Sequence, residues 1–194
     1  MLDWTDFLRL ADQFIISYSV DIGLVPVKLF EIGHAVELYL KGTYAKQHNN
    51  VDKAVSFNHR LKELWCACKL KDSTFMPNFD IRDSVYNSNF VLERGRFLEK
   101  DDFENFWTNE ELYYILKHVS DIKYIGSPLK SKSIVDNAGI WGYQSHNPYW
   151  INFFKEIRRY LNYPTKNSVD EIIYFINSDR IPPSSKNYLK KLYE

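Results

Sequence analysis

Cysteine, glycine and proline are all scarce: the 194 residues contain two, seven and seven of them. That composition excludes a disulfide-stapled scaffold, a collagen-like repeat and a Pro/Gly-rich disordered chain. Cys66 and Cys68 are two apart, a spacing that fits neither a CxxC redox pair nor a structural zinc site, and free thiols suit a reducing compartment. No apolar run approaches the roughly 20 residues needed to cross a bilayer, and the opening MLDWTDFLRL carries acids where a secretion signal carries bases. These absences predict a soluble, cytoplasmic protein without membrane contact. Charge of one sign is lacking too: 25 basic residues stand against 25 acidic ones, which leaves no global field to gather a polyanion. Residues 141–194 hold eight Lys or Arg against five Asp or Glu, so a basic surface could only be local. No P-loop, GxGxxG, GxSxG or HExxH motif occurs, and no cofactor or metal site is expected.

What the chain has is aromatic and aliphatic bulk, with 14 Tyr, 13 Phe and 5 Trp. In residues 4–19 Trp4, Phe7, Leu8, Ala11, Phe14 and Ile15 recur at three-to-four spacing, which predicts an amphipathic helix. Pro26 suits the first turn of a second helix running to about Gln47, with Leu29, Ile32, Val36, Leu40 and Tyr44 as its buried stripe. A third helix is expected from about Val51 to Lys71, with Val55, Leu61, Leu64, Trp65 and Cys68 inward. A short helix over Asp80 to Leu92 and a longer one ending near Tyr124 follow. Residues 126–147 lack a period and read as a long loop. Asn147-Pro148 is a cap followed by a first-turn proline, opening a helix lined by Ile151, Phe154, Ile157 and Leu161. Ser168 is expected to cap a helix over Val169 to Asn177, and Pro182-Pro183 to begin the last segment. The chain therefore reads as an all-α bundle: a core over 1–125, the loop over 126–147, and C-terminal helices over 148–194 packing on the same domain.

Three places could carry chemistry. On the second helix Phe30, His34, Glu37 and Lys41 form a row beside the buried stripe, either a proton-exchanging or phosphate-binding ridge or an ordinary i,i+4 ion pair with a packed imidazole. Lys155, Arg158 and Arg159, with Tyr160, Tyr163 and Lys166 just beyond, could hold a single-stranded RNA or nucleotide, or be the solvated side of an amphipathic helix. Gly139 to Trp150, GIWGYQSHNPYW, is either a partner surface or a loop pinned by buried Trp141 and Trp150.

AVELYLKG followed by FNHRLKELW resembles the central helical hairpin of HEPN domains, in which a helix bearing A-x-E-x-x-x-K precedes one opening with H-x-L-x-x-L. Ala35, Glu37, Lys41, His59, Leu61 and Leu64 carry the likeness, over roughly 30 residues. It implies a bundle of four or five helices, often a homodimer, working in RNA cleavage, nucleotide binding, toxin–antitoxin systems or antiphage defence. Ribonuclease members use an arginine, four to six intervening residues, and then a histidine. Upstream of His34, His48, His59, His118 and His146 the required windows read VKL, KGT, DKA, ELY and GIW, and none contains arginine. The resemblance thus implies a binding or regulatory module, with a homodimer, a protein partner, or RNA or nucleotide as its associates. A metal-independent ribonuclease with a divergent site drawn from Glu37, Lys41, His59, Arg158 and Arg159 is the alternative, and a structural subunit a third.

Overall fold

The computed structural model describes residues 2–20, 25–76, 91–92, 96–97 and 148–194. The expected helices over Asp80 to Leu92 (except its last two residues) and up to Tyr124, the loop over 126–147, and Trp141 and His146 lie outside them. Helix α1 spans Trp4–Ser19 and α2 Val25–His48. Asp3 caps α1 by accepting the Thr5 amide, while Asp6 reaches back to the Asp3 amide, so two otherwise orphaned donors are satisfied. Ile32, Val36, Leu40 and Tyr44 are buried as expected, and so are Ala35, Leu38, Tyr39 and Thr43. From Ile32 to Ala45 the helix is buried nearly all round, as a central helix is, and α2 packs against α1 and against the helices over 51–56, 61–71 and 148–161.

The pairing of α1 with α2 is antiparallel. Trp4 and Leu8 lie by Gly42, Asp12 by Tyr39, Phe14 by His34 and Ser17 by Glu31, so one helix ascends as the other descends. Gly42 is the closest approach. A Cβ placed there would overlap the Leu8 Cδ1 and stand 3.0 Å from the Trp4 carbonyl oxygen.

The single helix expected from Val51 to Lys71 is two. Helix α3, Val51–Ser56, is capped by Asn50, and α4 spans Leu61–Lys71. Between them Asn58 takes a left-handed conformation, φ 50°, which asparagine tolerates better than most residues. The break turns Val55 to solvent, against expectation, while Leu61, Leu64, Trp65 and Cys68 point inward. Helix α4 packs on α2, where the Gln47 amide donates to the Cys68 carbonyl.

Val91–Leu92 (β1) and Arg96–Phe97 (β2) form a two-residue antiparallel ladder, Val91 opposite Phe97, so the expected helix does not reach Leu92. Helix α5 spans Pro148–Leu161 and buries Trp150, Ile151, Phe153, Phe154, Ile157 and Leu161, with Phe154 against Tyr39 of α2. Helix α6, Glu171–Ile176, starts later than expected because Asp170 is its cap. Ser168 instead closes a local turn with Thr165. Helix α7, Pro183–Lys190, opens on a first-turn proline. Both α6 and α7 pack on α1, and Ser185 donates to the Ser19 carbonyl. The described residues are helical apart from turns and the short ladder, an all-α fold, and no helix among them is long and apolar enough to cross a membrane.

Candidate functional site

Two polar clusters flank α2. The first joins Glu37, Lys41 and His59. Glu37 is 1% exposed, and its Oε1 accepts a hydrogen bond from the Lys41 ammonium at 2.7 Å, one helical turn along. The Nδ1 of His59 lies 3.2 Å from Oε1 and 3.1 Å from Oε2. The His59 side chain is about half exposed, at 54%, because it stands in the turn between α3 and α4 rather than on a helix. A buried carboxylate thus holds a half-exposed imidazole by one ring nitrogen. That contact fixes the ring's orientation and, in its neutral form, selects the tautomer protonated at Nδ1.

His34 shares the row with Glu37 in sequence but packs edge-to-face on Phe14 of α1, ring centroids 4.6 Å apart. The neighbour of His59, Arg60, donates to Glu63 at 2.7 Å and to the Phe57 and Ser56 carbonyls.

The second cluster centres on Arg158 and was not anticipated. The expected basic surface of Lys155, Arg158 and Arg159 loses its middle member, since Arg158 is 3% exposed. Its Nη1 donates to Asp12 Oδ1 and Oδ2 at 2.7 and 2.8 Å and to the Tyr39 hydroxyl at 2.9 Å; Nη2 donates to Asp170 at 3.2 Å and to the Tyr193 hydroxyl at 3.1 Å. Tyr39 in turn donates to Asp12, and Tyr193 to Asp170. The guanidinium also lies over the rings of Tyr163 and Tyr193 at 4.9 and 5.4 Å. Burial pushes the Asp12 carboxyl up to about 6, outweighing the attraction of Arg158 and the bond from Tyr39. The surrounding phenols of Tyr39, Tyr163 and Tyr193 are raised by burial as well and stay neutral at ordinary pH. Of the other two expected ligand residues, Arg159 is exposed and bonds Glu156 at 2.7 Å, and Lys155 is half-buried.

A sequence signal for this cluster exists. Arg158 is four residues past Phe154 and three before Leu161, while Asp12 is four past Leu8 and three before Ile15, so each charge sits on its own helix's apolar stripe. Opposite charges on two buried stripes are rarely left apart, because an unpaired ion there costs several kcal/mol.

A groove of about 400 Å³ opens where α2, α4 and α5 end, lined by Lys46, Gln47, Lys71, Asp72 and Tyr160. Tyr160 donates to Asp72 at 2.7 Å and accepts from Gln47 at 2.7 Å. Lys46 donates to the Leu161 carbonyl and lies over the Trp4 ring at 4.4 Å. Two ammonium groups here face one carboxylate and three helix carboxyl ends of roughly half a negative charge each. The charges nearly cancel, and Lys46 serves as a counter-ion to the α5 end.

Among the described residues no three His, Cys, Asp or Glu side chains come together as a metal-binding group. Comparison of the chain with protein-family models, with curated proteins and with solved structures returned no match.

Proposed function

We propose that the chain is a HEPN-like binding or regulatory module of the cytoplasm, non-catalytic, acting as a homodimer in a prokaryotic toxin–antitoxin or defence system. One observation carries the non-catalytic reading: among the described residues, the charged groups expected to serve a phosphodiester-cleaving site are engaged within the fold. Glu37 and Lys41 neutralise each other in the interior, Arg158 is closed into the Asp12 cluster, and Arg60 and Arg159 each hold a neighbouring glutamate. Transition-state stabilisation requires donors aimed at developing charge, not donors satisfied by the resting protein. The HEPN-like part rests on the residues of the α2 to α4 hairpin, where Ala35, Glu37, Lys41, Leu61 and Leu64 are buried and Glu37 meets His59.

Sedimentation equilibrium tests the assembly, with a species of twice 23.1 kDa expected. A 23.1 kDa species persisting at high concentration contradicts it.

A ribonuclease reading draws on the same Glu37–His59 contact. A carboxylate-held, half-exposed imidazole is the arrangement a general base uses, and Lys41 stands beside it. The two readings separate on RNA: the ribonuclease cleaves it in EDTA and loses that activity in His59→Ala, whereas the binding module leaves it intact.

A further inference from the structure

Helix α6 is apolar nearly all the way round. Of its residues, Glu171 to Ile176, only the first is charged, and Arg9 holds that carboxylate at 3.1 Å. Ile172 is buried, and Phe175 and Ile176 are half-buried against the core, which accounts for the side of α6 that packs on α1 and α7. The other side is left over: Val169, Ile173 and Tyr174 are 55, 45 and 76% exposed. Val169, just before the cap Asp170, and Tyr174 occupy the two positions whose apolar side chains lie together at a helix start, and Ile173 is next to them. Tyr193, itself 42% exposed, is tied through its hydroxyl to Asp170 at 2.7 Å. A surface helix ordinarily turns a polar side to water, and an apolar outer side marks a place of contact.

We propose that this face of α6 binds a second copy of the chain, across a two-fold axis that sets two α6 helices side by side in opposite directions. The charges at the two ends of the face select that partner. Lys166 lies five residues before α6 begins and Asp179 three after it ends. Both are exposed, and among the described residues neither forms an ion pair. In the antiparallel arrangement the Lys166 end of each copy meets the Asp179 end of the other, as a self-complementary contact requires. A parallel arrangement sets like ends together. Arg180 shares the turn of Asp179 and adds a polar group to the same rim. An apolar centre with an exposed tyrosine, bordered by charge, has the anatomy of an interface.

The face is presented ready-made. Asp170 accepts from the Ile172 and Ile173 amides and from Arg158, so α6 is anchored to the buried cluster before any partner arrives and little ordering is left to oppose association. The 25 basic and 25 acidic residues of the chain leave no net charge to hold two copies apart. The size of the face sets the strength. It offers a few hundred Å² of apolar surface against the roughly 800 Å² per partner of a standard interface, so the pairing is concentration-dependent, with a Kd in about the micromolar range or weaker. This names the surface of the homodimer proposed above; it rests on the dimer in that reading and not on the HEPN likeness.

Sedimentation equilibrium of the 194-residue chain over a wide concentration range tests it, with circular dichroism as the check on folding. Wild type should pass from monomer to dimer, and Tyr174→Asp should raise the Kd about tenfold or more. Lys166→Glu and Asp179→Lys should each raise it several-fold by setting like charges together. The variant carrying both should return towards the wild-type Kd, because the exchanged charges again meet across the axis. If Tyr174→Asp does not fold, the charge variants, at exposed positions, decide the matter. A wild type that stays monomeric removes the homodimer and this surface together. A wild-type dimer whose Kd is unchanged in Tyr174→Asp leaves the homodimer standing but overturns the surface, giving the α6 face to a different protein. A double variant no tighter than the single ones overturns the antiparallel pairing.

Discussion

The Nη1 of Arg158 stands 2.7 Å from Oδ1 of Asp12, each charge buried on the apolar stripe of its own helix. Removing one partner strands the other in the interior. Arg158→Ala should therefore cost about 3–5 kcal/mol of unfolding free energy, whereas Arg159→Ala, at an exposed position, should change it by less than about 0.5 kcal/mol. Urea denaturation of the two variants measures both. Equal, small effects would mean that Arg158 is the surface residue its neighbours suggest.

The same buried carboxyl sets a pH dependence of global stability. Its folded-state value is raised from 3.8 to about 6, so its contribution is most favourable below the unfolded value and is lost as pH rises through 6. Taken alone, the shift corresponds to about 2 kcal/mol between pH 4 and pH 7. Other carboxylates add their own slopes, so the readout is the difference between wild type and Asp12→Asn. The unfolding free energy of the variant relative to wild type should rise with pH across 4 to 7; a constant difference contradicts the assignment.

Glu37 and His59 touch but should not matter equally to the fold. Glu37→Ala leaves the Lys41 ammonium, whose side chain is 10% exposed, without its carboxylate, and about 3 kcal/mol of destabilisation is expected. His59→Ala removes a half-exposed ring and should cost about 1 kcal/mol or less. Thermal and chemical denaturation of the pair distinguishes them. A His59 variant as unstable as the Glu37 variant would make the imidazole a structural member of the core.

Gly42 lies where α1 crosses closest to α2. Alanine normally favours a helix over glycine by nearly 1 kcal/mol, yet here the added methyl meets Leu8 and the Trp4 carbonyl oxygen. Gly42→Ala should be net destabilising, by about 1–3 kcal/mol as for an overpacked core. A stabilised variant would show that the two helices separate easily.

The helices whose periodicity is carried by large apolar residues were legible: Trp4 to Ile15 for α1, the Ile32 to Tyr44 stripe for α2, and Ile151 to Leu161 for α5. The break in the expected third helix was not. Phe57-Asn58-His59 contains neither Gly nor Pro, and the left-handed Asn58 is a local choice that periodicity does not register. The start of α6 turned on which of two capping side chains, Ser168 or Asp170, reaches the helix amides, which depends on the preceding turn. At the site, Glu37–Lys41 followed from i,i+4 spacing, and His59 from the family resemblance. The role of Arg158 was hidden because its neighbours Lys155 and Arg159 suggest a charged face, although its own spacing from Phe154 and Leu161 places it inward. Its partners Asp12 and Tyr193 lie 146 and 35 residues away along the chain, and no local pattern connects them.

The central claim is that the cluster of Glu37, Lys41 and His59 belongs to a binding module and not to a nuclease. Its most direct test is incubation of the purified 194-residue chain with total RNA in EDTA, beside His59→Ala and Glu37→Gln variants, with fragments resolved on a denaturing gel. The account predicts RNA left at background in all three. Metal-independent cleavage by the wild type that disappears in both variants would contradict it.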